Sequence, residues 1–323
     1  MLRNVGRLLS IGLVLALLSS CAGQPTSSPA PISLTELAAG TLAVPFTTLN
    51  ATFEHAQPGA TVQAQFGGSV KMAKQITQLH QPADLLAVAD YSVIPNQLFQ
   101  HDGTAHASWY IGFAANAITF VYTDKSKGAD RITAANWYQV LAQPGIQIGR
   151  SNPDTDPSGY QTLQMLTLAE RYYHQPGLAQ AILKNAPPRN MRDTETALIG
   201  ALETGQIDYL VICRSDAIHF KYLELPPQIN LSNASLAADY ATVSVSTHNG
   251  QLTAKPIIYA ITIPANAPHP QPATAFIQLL LSPQGRSVLQ QDGFTLLDAP
   301  IAHGSANLPA ALKPLVKPWP GEP

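Results

Sequence analysis

Cysteine is almost absent from this chain of 323 residues: Cys21 and Cys213 are the only two. A disulfide framework is thereby excluded, so a hydrophobic core has to hold the fold. Charge is scarce too, at 12% of residues with a formal balance of −2, and no basic run interleaves with aromatics. No nucleic-acid footprint is therefore expected, and Gln, Asn, Ser, Thr and His must solvate the surface. The nine His show neither HxH nor HExxH spacing, and no G-x-S-x-G elbow occurs. Neither a metal-cation site nor a hydrolase triad is expected, and the chain reads as a non-enzyme without a cofactor. What is present is apolar: 46% hydrophobic residues, ample for one large or two ordinary domains.

Arg3 and Arg7 precede an apolar run from Leu8 to Leu18, too short to span a bilayer as a finished helix but suited to a signal-peptide core. Its end, Leu18-Ser19-Ser20-Cys21, resembles the lipobox of bacterial lipoproteins. That resemblance implies removal of residues 1–20 and a lipid on Cys21, anchoring an extracytoplasmic protein to a membrane. Residues 21–31, rich in Pro, Ser and Thr, then read as a flexible tether. With Cys21 acylated, Cys213 has no partner.

Beyond the tether, strand and helix patterns alternate. Phe46, Leu49 and Phe53 have helical spacing; Thr61 to Phe66 alternates as a strand; Val70, Ala73, Ile76 and Leu79 share a helix face; Asp84 to Ala89 is a nearly continuous apolar run. The alternation continues through Tyr110 to Phe113, Ala117 to Tyr122, a helix near Trp137, the strand Gln147 to Gly149, helices from Thr162 and Thr196, and the strand Tyr209 to Ile212. It predicts an α/β chain with mostly parallel sheets flanked by helices. Thr119 to Tyr122 and Pro256 to Ile263 could cross between two halves, giving a discontinuous lobe I (32–121 and 262–323), a lobe II (122–261) and a cleft between them. Ser282-Pro283 supplies a cap and first-turn proline for a last helix. The Pro- and Gly-rich tail after Ala299 reads as surface.

Three strand-to-helix junctions share one character: Gly40-Thr41, Gly68-Ser69 and Asp156-Pro157-Ser158-Gly159. Each joins a small residue, which lets backbone approach a ligand, to a hydroxyl at a helix start, where N–H groups and the positive dipole end favour an anion. Ordinary N-capping is the alternative.

Gly40-Thr41-Leu42-Ala43-Val44-Pro45-Phe46, Ala87 to Pro95, Tyr122 to Lys127, Asn136-Trp137-Tyr138, Gly149 to Tyr160, Glu195-Thr196, Gly205 to Tyr209 and Lys255 to Tyr259 come in an order that resembles the tungstate/molybdate-binding proteins of ABC importers. The resemblance implies a two-lobe periplasmic-binding-protein fold of type II and a monomer that captures tungstate or molybdate for a permease and its ATPase. It places the oxyanion on Gly40, Thr41, Gly68 and Ser69, with Asp156 and Glu195 as carboxylates to the metal centre; Ser158, at the third junction, is a further candidate ligand. Thr41 stands where the family usually has Ser, Ser158 where it often has Cys, and Cys213 where it has Tyr. Cys213 fits either a buried structural thiol or a ligand contact.

Two carboxylates about 4 Å apart repel by about 4 kcal/mol in an effective dielectric near 20, and a dianion adds to this. Tungsten(VI) or molybdenum(VI) can take carboxylate oxygens into an enlarged coordination shell, whereas sulfate or phosphate cannot. The pair therefore favours a metal oxyanion, provided both face the cleft. A receptor for another tetrahedral oxyanion, or a lipoprotein enzyme or adhesion module on the same fold, are the alternatives.

Overall fold

The computed structural model describes residues 31–100 and 103–320. The signal segment 1–20, Cys21 and the tether up to residue 30 lie outside the described residues.

Strand β1 (Ile32–Ala39) leads through Gly40 to helix α1 (Ala43–Ala56), and β2 (Ala60–Gly67) through Gly68 to α2 (Ser69–Thr77); β3 (Leu85–Val88) and β4 (Tyr110–Ala115) follow. After Asn116-Ala117 come β5 (Ile118–Tyr122), α3 (Trp137–Leu141), β6 (Ile148–Ser151), α4 (Pro157–Tyr172), α5 (Leu178–Lys184), β7 (Met191–Arg192), α6 (Ile199–Glu203), β8 (Tyr209–Cys213) and β9 (Lys221–Tyr222). A hairpin of β10 (Ser244–Thr247) and β11 (Gly250–Thr253) precedes β12 (Ile258–Thr262). Helices Pro270–Leu281 and Pro283–Gln291, then β13 (Thr295–His303) and β14 (Lys317–Pro318), complete the chain.

One sheet has the order β14-β13-β4-β12-β3-β1-β2 and the other β7-β6-β8-β5-β9, each the centre of one α/β lobe. Sheet membership changes at Asn116-Ala117, so β5 lies wholly in the second sheet, and it changes back before β12. Both sheets are mixed, where the strand–helix alternation implied mostly parallel ones. β1 pairs in parallel with β2 and β3, but β12 pairs antiparallel with both β3 and β4. The reason is topological: β12 enters the first sheet from the end at which β4 leaves it, with no helix to turn the chain round. β5 runs antiparallel to β8 likewise, while β6 is parallel to β8.

The helix faces read from sequence are buried with one exception: Val70, Ala73 and Ile76 of α2 are in the core, but α2 ends at Thr77 and Leu79, beyond it, is exposed. Phe46, Leu49 and Phe53 of α1 are in the core, with Phe46 and Phe53 edge-on to Phe276 at 5.8 and 5.7 Å between ring centroids. Full burial of such side chains contributes about 1.5–3 kcal/mol each. Trp137 is enclosed against Phe120, and the Ser282 hydroxyl accepts from the Gly285 N–H at the start of the last helix, as its sequence implied. The tail is a correction. Its β13 joins β4 in the first sheet, and Ala302, Leu308 and Leu312 are buried, because the free side of β4 offers apolar residues for pairing.

β1 also buries a carboxyl. Glu36 is shielded from solvent beside Asn50 of α1, whose Nδ2 donates to Glu36 Oε1 at 3.4 Å, and burial pushes the acid up to about 8. Glu36 Oε2 and Asn50 Oδ1 have no other partner. Protonation turns Oε2 into a donor beside an uncommitted acceptor, so the neutral acid is the form that suits the site. Because the folded-state pKa exceeds the ordinary 4.5, the native state holds the extra proton between about 4.5 and 8, and stability must fall as pH rises through that window. Chemical denaturation at pH 5, 7 and 9 should show this fall, at most about 1.4 kcal/mol per pH unit. Glu36→Gln, which presents the same donor and acceptor without a charge, should flatten it; an equally steep fall in the variant would contradict the assignment.

Candidate functional site

β6 ends at Ser151, and residues 152–156 turn the chain through Asn152, whose carbonyl accepts from the N–H groups of Thr155 and Asp156. Asp156 is extended at the N-cap of α4 and its Oδ1 accepts from the Ser158 N–H at 2.8 Å, with Pro157 in the first turn. The helix start lies directly on the turn: a Cβ at Gly159 would come within 2.5 Å of Pro153 N. The capping role read from the sequence is present, and it coexists with burial, since Asp156 is only 5% exposed.

Glu195 arrives from the segment between β7 and α6 and is 1% exposed. Ser158 Oγ donates to Glu195 Oε2 at 2.8 Å, and Ser151 Oγ contacts both Ser158 Oγ and, at 3.4 Å, Asp156 Oδ1. Glu195 Oε1 lacks a well-formed hydrogen bond, although the Cys213 thiol and the Asp156 carboxyl adjoin the same carboxyl group. Burial above all, and then the charge of Glu195, push Asp156 well above the usual carboxylate range; the Ser158 N–H opposes this. Burial also raises Glu195, against hydrogen bonds from its own backbone, Ser158 and Cys213. Among the described residues no ion pair joins either carboxyl to a cation. Two buried acids so placed resist ionising together.

The junctions of lobe I close onto this cluster. A Cβ on Gly68 would lie 2.3 Å from the Thr155 carbonyl oxygen and 2.9 Å from that of Asp193, and the Lys71 N–H donates to the same Thr155 oxygen at 3.2 Å. Ser69 is fully buried, its Oγ accepting from the Ala89 N–H at 3.0 Å and keeping its own proton to give. Gly40 faces lobe II as well, a Cβ there lying 3.3 Å from Thr196 Oγ1. Thr41 Oγ1 pairs with the Tyr259 hydroxyl at 2.8 Å, and that hydroxyl also meets Cys213 Sγ at 3.4 Å. The residues expected from sequence thus form two neighbouring groups: Asp156, Ser158, Glu195 and Cys213 in lobe II, with Gly40, Thr41, Gly68 and Ser69 opposite. Thr41 also borders, with Ser215 and Asp216, a cleft of about 310 Å³ that reaches Val44 and Ile218.

Sequence reasoning missed three residues here. Ser151 joins Asp156 to the Ser158 hydroxyl. Asn116, where the chain first crosses, donates to Ser215 Oγ at 2.9 Å and to Tyr259 OH at 3.3 Å, while its Oδ1 accepts from the Ala117 and Ser215 N–H groups. Tyr259, on the returning strand, is fully buried between both lobes. The signal for the last two was a polar residue within each otherwise apolar crossing segment. Arg214 is turned away, over the Tyr222 ring at 3.8 Å.

The family model of bacterial extracellular solute-binding proteins matches residues 34–295. The chain belongs to this family. Relatives include an uncharacterized solute-binding protein of Petrotoga mobilis, 37% identical over 86% of this chain and 88% of that one. The molybdate/tungstate-binding protein WtpA of Thermococcus kodakarensis is 32% identical, covering 98% of both chains. In fold, the periplasmic molybdate-binding protein of Azotobacter vinelandii is similar, with a TM-score of 0.61 over 82% of this chain and all of that one, at 17% identity. The two sheets of this solute-binding protein are accordingly the two lobes of a periplasmic-binding-protein-type fold.

The Gly68 contact ties sequence to closure. Its φ of −58° suits any residue, so Gly68→Ala should leave each lobe intact and oppose only their approach. Solution scattering should give a larger radius of gyration for the variant with an unchanged circular dichroism spectrum; an unchanged radius would show that the Thr155 contact yields.

Proposed function

We propose that this solute-binding protein captures tungstate or molybdate outside the cell membrane and hands it to an ABC permease driven by a cytoplasmic ATPase. The observation that carries the reading is the buried pair Asp156 and Glu195, joined through Ser158, whose N–H donates to the first and whose hydroxyl donates to the second, with no ion pair to a cation among the described residues. Such a pair opposes a sulfate or phosphate dianion unless both acids are protonated. A hexavalent metal centre reverses the balance: it offers positive charge to the carboxylate oxygens, and Glu195 Oε1 is an uncommitted acceptor. The oxyanion's own oxygens would be met by the Ser69 and Thr41 hydroxyls and by N–H groups at the starts of the helices that follow Gly40 and Gly68. Hydrogen bonds to a charged group contribute about 1.5–3 kcal/mol each. Five or six of them, with the lobes closed, approach the roughly −12 kcal/mol of nanomolar binding.

The relative from Thermococcus kodakarensis, named for both oxyanions, supports the choice of ligand, and it matches nearly the whole chain. Acylation at Cys21 would keep the receptor beside its permease, the residues up to 31 serving as the tether. Binding and release suffice for this role, and no covalent step is proposed.

Calorimetric titration tests the reading. Tungstate and molybdate should bind tightly and sulfate weakly, and Asp156→Ala combined with Glu195→Ala should weaken the metal oxyanions by more than tenfold. Because both acids are raised by burial and bind as carboxylates, binding should release protons, visible as a heat that changes between buffers of different ionisation enthalpy. Affinity should then rise with pH until the pair has ionised. Tight sulfate binding with proton uptake would overturn the assignment.

A further inference from the structure

Two residues just beyond the site join the lobes by a second, buried contact. Asp90 follows β3 in lobe I and is 2% exposed; Tyr160, in the first turn of α4 in lobe II, is 3% exposed. The Tyr160 hydroxyl donates to Asp90 Oδ2 at 2.8 Å. Donor and acceptor belong to different sheets. Tyr91, next to Asp90, donates its N–H to the Ile258 carbonyl of β12 in the first sheet, whereas α4 packs on β5, β6 and β8 of the second. The acceptor is held from within lobe I, since Asp90 Oδ1 accepts from the Ser92 N–H at 2.8 Å and from the Ser92 hydroxyl at 2.9 Å. Lys255, in the returning crossing segment, donates to Ser92 Oγ at 2.7 Å and stands 3.5 Å from Asp90 Oδ2. The donor is held as firmly, because Asp156 at the cap, Ser158 and Tyr160 share the first turn of one helix.

We infer that Asp90 is a positioning residue for the oxyanion site, its carboxylate holding the Tyr160 hydroxyl, and with it the start of α4, against lobe I when the lobes close on a ligand. The inference rests on the reading that places the α4 start in that site. When the lobes part, Asp90 keeps Ser92 and Lys255 while Tyr160 turns to water, so the bond belongs to the closed form and shifts the equilibrium towards it. It joins a neutral donor to a charged acceptor away from solvent, where such bonds are strong. Another contact between the lobes is of a different kind: Lys71 and Asp193, 2.7 Å apart, are each about half exposed, so salt screens their attraction. The Asp90 bond is shielded from that screening. It also lies one helical turn from the acids and is made to no oxygen of the anion. It therefore sets how long an oxyanion is held and leaves the choice among oxyanions to Asp156, Glu195 and the hydroxyls.

The test compares the full chain with Tyr160→Phe, Asp90→Asn and the double variant. Release and uptake of tungstate, molybdate and sulfate are followed by stopped-flow fluorescence at low and high salt, and thermal unfolding is measured with and without tungstate. Tyr160→Phe keeps the ring and removes only the hydroxyl. It should release each oxyanion that the parent binds about tenfold faster, the scale of one hydrogen bond to a charged group. Its association rate should stay within about threefold of the parent, the ratio of affinities among the oxyanions should be unchanged, and the effect on release should persist at high salt. Unfolding of the ligand-free chain should stay near that of the parent, while the stabilisation given by tungstate shrinks. Asp90→Asn still accepts from the Ser92 N–H but loses the charge, and should speed release in the same direction, so the inference is tested even where one variant fails to fold. In the double variant the effect should be smaller than the product of the two single effects, because both act on one bond. Unchanged release in Tyr160→Phe, a full product in the double variant, or an equal loss of stability with and without tungstate would overturn it. If the parent prefers sulfate, the metal-oxyanion reading fails instead, and the release of sulfate from the same variants still decides the role of Asp90.

Discussion

Two carboxyl groups, buried together with no cation paired to either among the described residues, are the constraint to which the rest of the site responds. Two unit charges about 4 Å apart in an effective dielectric near 20 repel by about 4 kcal/mol, a large fraction of the stability of a typical domain, and this is the scale of the penalty that such a pair faces on ionising. Ser158 and Ser151 moderate that repulsion. The α4 N-terminus gives Asp156 an N–H from Ser158, the Ser158 hydroxyl serves Glu195, and Ser151 supports the hydroxyl. Stable enough to fold but not satisfied, the pair is poised for a group that brings positive charge within a shell of oxygens. Had Arg214 turned inward, the acids would be neutralised by the protein; it covers Tyr222 instead.

The lobes matter because they surround this pair. Gly68 approaches the Thr155 carbonyl as only a residue without Cβ can, and the Tyr160 hydroxyl, two residues beyond Ser158, donates across to the buried Asp90 at 2.8 Å. Lys255 reaches the same carboxylate from the segment before β12, at 3.5 Å. His248 and Asn249, at the tip of the β10–β11 hairpin, hold Asp154, while Lys74 of lobe I donates to Asn249. The turn before α4 is therefore gripped by both lobes in the closed form, and displacement of the α4 start is felt in each.

Much of this was legible in the chain because its signals are local. The helix faces of Phe46, Leu49 and Phe53, the cap and proline at Ser282-Pro283, and the acid at the start of α4 follow from spacing and capping within a few residues. What was not legible depends on contacts between distant segments. Asn116, between β4 and β5, and Tyr259, in β12, are polar residues within mostly apolar segments, and only the meeting of β4, β8 and β12 gives them partners. β12 runs against its neighbours because of where the chain re-enters, which no periodicity encodes. The tail after Ala299 has the composition of a surface loop, and β13 forms because β4 has a free side. Glu36, an acid within an apolar strand pattern, announced nothing until Asn50 of α1 came beside it.

The central claim is that Asp156 and Glu195 join the coordination shell of the bound metal oxyanion. X-ray absorption at the molybdenum K edge of the molybdate-loaded protein measures this directly. The account predicts a weakened pre-edge feature and a shell with more oxygens than free molybdate has, both reverting in the Asp156→Ala, Glu195→Ala chain. A spectrum identical to that of the free tetrahedral anion would contradict it.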